Sequence, residues 1–484
     1  MSDPSQGSAR ARVRLVDARA DRSRDARPIT LRGKRVVLLL QGGGALGSYQ
    51  VGAFQALAAR CSEEKGQPNV DWVGGVSIGA VNAAVIAGPK QGNAERQLLA
   101  LWGDLASAPV PPFDWTAPWH WFARAAPALS QRTRPVTARW PWLGWVLPPF
   151  PYARLAGKWA NWVRLAYHPL GKHAFFTSRV LTAANPWLQQ WWRSLAPEQL
   201  SFYGTEPLRR TLAKHVDFDA INGANGKAKG PRLSLGAARV RTGEVVFFEN
   251  APREEGEPGA GRSRCRTLGP EHVLASGALP PAFAPVRVEQ PDFDGVAGDD
   301  ALYWDGGVSS NTPIEWLIHD VLPREGGQDT IVFLVDLWDR KGPIPRSMDD
   351  VAWRQKSIEY GSLKDAAKRA VREERLRRRA RREEGARPRL EVCQLMFEAS
   401  DADPQFAFAD ADFSRATIDE MRRRGREDMT AALAASYEVA VDRRDESRDD
   451  HGVVLYRHGT RGKHLETDEI VRPDDRAAVT ARSF

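Results

Sequence analysis

Three short stretches hold residues whose types and spacing suit covalent chemistry. The first is Gly75-Val76-Ser77-Ile78-Gly79, a serine flanked at −2 and +2 by glycine. This G-x-S-x-G pattern is a nucleophile elbow: the serine sits on a sharp strand-to-helix turn, so its neighbours must be small. The apolar "VDWVGG" before it and the alanine-rich "IGAVNAAVIAG" after it provide a strand and a helix in that order. The same residues also make an ordinary Gly/Ser packing turn, and the pattern alone does not separate the two.

The second stretch is "LLLQGGGALGSYQVG", in which Gly42, Gly44 and Gly47 satisfy G-x-G-x-x-G. Read as a dinucleotide fingerprint, it requires an acidic residue about 20 positions on, at the end of the next strand. That strand ends instead in Gly74-Gly75 and Ser77, and Glu63 and Glu64 come too early. A phosphate-binding P-loop is excluded, because no Lys-Ser/Thr pair follows the glycines. What remains is a nest of backbone N–H groups in front of a helix N-terminus, suited to a developing oxyanion. Each donor of that kind is worth roughly 10²–10³ in rate. Close packing alone also explains such glycines.

A serine nucleophile needs a base. None of the nine histidines lies in a loop after a clear late strand; His319 falls in an expected helix, and His451 and His458 in a charged tail. The better partner is Asp305, in "YWDGGVSSNTP", at the end of an apolar stretch and before Gly306 and Gly307. Strand C-termini of a parallel sheet share one edge, so Asp305 is expected beside Ser77 and the first glycine loop. Asp-Gly is also a common turn pair.

The elements that must position these residues read as α/β. "KRVVLLLQ" is a continuous apolar run, as in a strand buried on both faces, and helix, strand and helix follow it. "LSLGAARVRTGEVVFFEN" reads as a hairpin turning at Thr242-Gly243, and "EHVLASGALPPAFAPV" as a short helix ended by Pro280 and Pro281. "TIVFLVDLW" is a further buried strand. Beyond 340 the chain becomes highly charged: 364–382 carries ten Lys/Arg against three acids and reads as a long exposed helix. "RLEVCQLMFEA" adds a strand and "FSRATIDEMRRRGREDMTAALAA" another helix.

Between 102 and 192 lie 12 of the 17 tryptophans, with many prolines, which sets this stretch apart from the α/β pattern around it. Residues 1–33 read as a polar disordered arm without the apolar core of a secretory signal, and no run is long enough to span a bilayer. The net charge of +8 is modest for 484 residues, and Cys61, Cys265 and Cys393 are too scattered for a disulfide framework or a metal site. A cytoplasmic location is expected, with no metal and no cofactor.

Together the three stretches resemble the patatin-like phospholipase family. The resemblance rests on Gly42-Gly43-Gly44-Ala45-Leu46-Gly47, Gly75-Val76-Ser77-Ile78-Gly79 and Asp305-Gly306-Gly307, with "ASGALPPAFAPV" ahead of the aspartate, and covers about 36–320. It implies a three-layer α/β/α sandwich with a mainly parallel sheet. It also implies a Ser–Asp dyad of Ser77 and Asp305, an oxyanion hole from the amides of Gly42, Gly43 and Gly44, and lipid acyl hydrolysis without a metal. Members often carry Arg or Lys where this chain has Leu46, so here the backbone alone would stabilise the oxyanion.

The expected organisation is an arm over 1–33, a core over 36–320 with a Trp/Pro-rich insertion at about 105–200, and a last core strand plus charged extension over 321–484. The substrate class is a lipid or other ester. The alternatives are a carboxylesterase, an intracellular polyester depolymerase, or a catalytically silent lipid-binding protein. The tryptophans at 113–152 suit a lid or peripheral lipid-docking surface. For the basic helix no nucleic-acid recognition module is found, and a solvated charged face is the favoured reading.

Overall fold

The structure is a computed structural model. It describes residues 27–106, 171–172, 176–178, 196–223, 230–250, 267–289, 297–322, 327–338, 342, 344–345, 348–361, 365–381, 388–397, 409–437 and 452–459. Most of the Trp-rich stretch, including 113–152, lies outside the described residues, as do 1–26 and His451.

One nine-stranded sheet organises the chain. Its strands are β1 (Arg35–Leu40), β2 (Trp72–Val76), β3 (Arg232–Arg239), β4 (Val245–Glu249), β5 (Val286–Arg287), β6 (Leu302–Asp305), β7 (Thr330–Asp336), β8 (Leu390–Met396) and β9 (Val453–Gly459). The order is β9-β8-β7-β1-β2-β3-β6-β5, and β4 pairs with β3 off this path. From β9 to β3 every pairing is parallel; β4, β5 and β6 pair antiparallel.

The apolar run of β1 shows why the sheet is covered on both sides. Val36, Leu38 and Leu40 face one buried cluster, and Val37 and Leu39 face another, as the period of two requires. The first cluster includes residues of α1 (Gly47–Lys65), α2 (Ile78–Ala87), α3 (Ala94–Leu105), α4 (Glu206–His215), α5 (Pro270–Ser276) and α8 (Arg415–Ala434). The second includes residues 314–321 and α7 (Asp365–Arg381). This is the three-layer α/β/α sandwich. The α2 helix is apolar on every face except at Asn82, and every one of its residues is buried, as such a helix must be.

The C-terminal part carries the expected strand and helix, β8 and α8, and adds the strand β9, which the sequence reading did not name. Residues beyond 340 supply β8 and β9, which extend the sheet past β7 by parallel pairing. The α8 helix crosses α1 so closely that a Cβ at Gly425 would collide with the Tyr49 carbonyl, and one at Gly52 with the Arg422 carbonyl. The basic α7 is not exposed all round either: Ala366, Ala367, Ala370 and Val371 are buried against the sheet, and Glu374 is buried beside Arg378, so most of its remaining charge lies on the opposite stripe.

At the other end, the expected arm is anchored from residue 27. Arg27 and Pro28 pair with Tyr437 and Ser436, and Ile29 and Leu31 are buried. The short helix ahead of Asp305 ends at Ser276, before Pro280, because Gly277 takes the C-cap. The hairpin turns where expected, with Gly243 at φ 70°.

Candidate active site

Ser77 stands between β2 and α2 with φ 57° and ψ −126°, the one positive-φ non-glycine among the described residues. A side chain held there is strained by roughly 1–3 kcal/mol and persists only where its surroundings over-determine it. Two contacts do so: the Ser77 amide lies 3.1 Å from both the backbone oxygen and the Oγ of Ser276. The flanking glycines are required by close approach. A Cβ at Gly75 would collide with the Gly79 carbonyl, and one at Gly79 with the Leu40 carbonyl.

Asp305 reaches Ser77 by a route the sequence argument misdescribes. The expectation was that β6 would run parallel with its neighbours and share their C-terminal edge. Instead β6 is antiparallel to β3. Along one edge of β3, Val76 of β2 pairs with Gly236 and Asp305 of β6 pairs with the next residue, Ala237. The other edge over the same residues is taken by β4. The two strands therefore end head to head on consecutive register positions, and the turns leaving them meet.

Asp305 is 1% exposed. Its Oδ1 accepts from the Gly307 amide at 2.7 Å, and the Ser77 side chain lies close enough to favour its ionised form. Burial raises its pKa from 3.8 to about 7; the nearby Ser77 side chain and the Gly307 amide oppose that rise without cancelling it. Gly306 packs under the turn, where a Cβ would come within 2.6 Å of the Gly236 carbonyl.

The glycine loop closes over the serine. Gly42, Gly43 and Gly44 line the same cavity as Ser77 and Asp305, about 190 Å³ in volume. Gly47 lies outside it, opening α1 with Ile78 against its Cα. The Gly42 amide is committed, donating to Asn311 Oδ1 at 2.9 Å, while Asn311 Nδ2 and Trp338 Nε1 both donate to the Gly42 carbonyl, at 3.1 and 2.9 Å. The amides of Gly43 and Gly44 have no hydrogen-bond partner among the described residues. So the amide of Gly42, expected as a donor to an oxyanion, is engaged by Asn311 in this structure, and the two glycines after it carry the unengaged N–H groups. Leu46 is 2% exposed, so the loop offers no cation.

Buried amides that sequence reasoning did not single out hold this loop. Gln41 Oε1 accepts from the Leu337 amide at 2.8 Å, and Gln50 Nε2 donates to the Gln41 carbonyl at 2.6 Å. Asn82 donates to the Gly47 carbonyl and to Gln50 Oε1, and accepts from Trp102 Nε1 at 2.9 Å. The available signal for Asn311 is its place in "DGGVSSNTP", six residues after the aspartate. Lone amides inside otherwise apolar helices were the available signal for Gln50 and Asn82.

His319 and His458 do not line the cavity. His319 Nε2 lies 3.3 Å from the Ala370 carbonyl, between α7 and the 317–321 turn, and His458 sits in the edge strand β9. Among the described residues no group of three or more His, Cys, Asp and Glu is arranged to hold a metal, and no helix is long and apolar enough to cross a membrane.

A family described as patatin-like phospholipase matches residues 38–318, and one described as patatin phospholipase matches 360–445. Patatin-like phospholipase domain-containing protein 6 of Mus musculus is 38% identical over 106 residues, 22% of this chain and 7% of that protein. The Homo sapiens protein of the same name matches equally, so the alignment spans a small fraction of these relatives' length. The crystal structure of VipD from Legionella pneumophila aligns over 83% of this chain and 67% of its own, at 13% identity and a TM-score of 0.28.

Proposed function

The chain belongs to the patatin-like phospholipase family, and on that premise we propose that it is a serine hydrolase that cleaves lipid acyl esters with Ser77 and Asp305 as its catalytic pair. The observation that supports this most is the head-to-head meeting of β2 and β6, which brings a strained serine to a buried carboxylate.

In this reading Ser77 Oγ attacks the ester carbonyl carbon while its proton passes to the Asp305 carboxylate. The carbonyl oxygen becomes an oxyanion and accepts from the Gly43 and Gly44 amides, with the positive end of the following helix behind them. Collapse of the tetrahedral intermediate breaks the bond to the alcohol, which leaves with the proton held by Asp305. Water then attacks the acyl-serine, again giving its proton to Asp305; the oxyanion re-forms and collapses to release the fatty acid and regenerate Ser77. A carboxyl group titrating at about 7 suits both halves of this cycle, because it accepts and returns a proton near neutral pH.

Phe283, Leu279, Tyr203, Trp338 and Phe413 give the cavity an apolar wall for an acyl chain. Purified protein should release fatty acid from phospholipid vesicles, and Ser77→Ala should abolish that release. Hydrolysis that survives the substitution would remove the assignment.

A further inference from the structure

Part of the cavity wall comes from the C-terminal part of the chain and carries a charge pair with no part in the mechanism above. Lys356, on the helix α6 (Met348–Gly361), places its ammonium 2.9 Å from Asp410 Oδ2 and 3.3 Å from Oδ1. Both residues line the cavity that holds Ser77 and Asp305, and Lys356 is the one basic side chain among the described residues that line it. They are partly open, with side-chain exposures of 35% and 22%. A pair this open adds little to stability.

Its position relative to the glycine loop is fixed. The Asp410 carbonyl sits so close to Gly44, at φ 55°, that any Cβ there would collide with it. The lysine is therefore registered against the loop whose Gly43 and Gly44 amides have no partner among the described residues. The surrounding wall is aromatic. Trp338 stacks obliquely on Tyr360, one turn beyond Lys356, with ring centroids 5.0 Å apart. Burial raises the Tyr360 phenol to about 12, so it stays neutral. An uncharged ligand filling this space strips water from an ion pair and returns nothing. A ligand with an anionic oxygen group gives Lys356 a further counter-ion and competes with Asp410 for it.

We propose that Lys356 is the anion-recognising residue of the substrate cavity, and that Asp410 holds it there and sets how tightly it binds. The ligand class is an amphiphile with an anionic oxygen group, phosphate or carboxylate, next to its acyl ester. This rests on the cavity being the acyl-hydrolase site, and the test is arranged so that the two readings fail separately.

The test is a titration of the Ser77→Ala chain, which does not depend on hydrolysis, by calorimetry at pH 8 with decyl phosphate, decanoate and decanol. At least one anionic probe is expected to bind tenfold or more tightly than decanol, and which one does so tells whether the anion is phosphate or carboxylate. In the same background Lys356→Met should abolish the preference and Lys356→Arg should keep it. Asp410→Asn should tighten anion binding several-fold, because it removes the competing carboxylate. Opposite signs at the two positions are the signature, since a merely structural tie would weaken equally whichever end was cut. Equal affinity for all three probes, or weakening of anion binding by both Lys356→Met and Asp410→Asn, overturns the proposal. Failure of the hydrolase reading appears elsewhere, as ester cleavage that does not depend on Ser77.

Discussion

At the scale of single residues, Asp305 carries the sharpest consequences. Only its ionised form accepts the proton of Ser77, so kcat/KM should rise with pH and reach half its plateau near 7. A profile flat from pH 5 to 9 contradicts that role. Asp305→Asn should cost nearly as much activity as Ser77→Ala, since members of one catalytic unit are not additive. Stability should move the other way. The carboxyl titrates at about 7 in the folded chain against an ordinary 3.8, so across that window the folded state keeps a proton the unfolded chain has released. Folding stability therefore falls as pH rises from about 4 to about 7 and levels off above it. Asp305→Asn removes the buried charge, so its melting temperature should exceed the parent's by a margin that grows from pH 5 to pH 8. A margin independent of pH would show that the carboxyl is not the cause. That Ser77, Asp305, Gly43 and Gly44 share one cavity was legible in the sequence, because the motifs that carry them fix their neighbours. The engagement of Gly42 by Asn311 was not, because it joins positions 269 residues apart.

At the scale of elements, strand register is what the sequence hid. "ALYWD" reads as an apolar strand end whichever way it runs, and no local pattern says that β6 is antiparallel to β3. The prediction that Asp305 sits beside Ser77 was thus right for a wrong reason. By contrast β1, β2 and β7 were legible, because strands covered on both faces must be apolar throughout. The crossing of α1 and α8 is a second hidden feature. Gly425 looks like a weak point in a helix that alanine would improve by about 1 kcal/mol. Its Cβ would instead meet the Tyr49 carbonyl, and backbone cannot step aside as a side chain can. Gly425→Ala should therefore destabilise the chain, by about 1–3 kcal/mol as for an overpacked core. A denaturant midpoint unchanged or raised in this variant would mean that the two helices separate freely.

At the scale of the whole molecule, the charged composition beyond 340 concealed that β8, legible as a strand in "RLEVCQLMFEA", joins the main sheet and that a further strand, β9, follows it; the flanks of "VVLYRHG" are rich in arginine and acids, which draws the eye to solvent. A chain ending at 345 would leave β7 as an open parallel edge and remove one wall of the cavity, so it should lose cooperative unfolding as well as activity. A soluble, cooperatively folding fragment would show that β8 and β9 are dispensable. The tryptophans at 113–152 lie outside the described residues, and their docking role stands on composition alone. Trp142→Ala with Trp145→Ala should lower activity on vesicles and spare a short soluble ester; equal loss on both would assign them to the core. All of this turns on whether Ser77 is the nucleophile. The direct measurement is peptide mass spectrometry of the native protein after reaction with a fluorophosphonate. One adduct is expected, on the peptide containing Ser77, which disappears on unfolding before reaction and is strongly reduced in Asp305→Asn. An adduct on another residue, or none on Ser77 while ester hydrolysis proceeds, would contradict it.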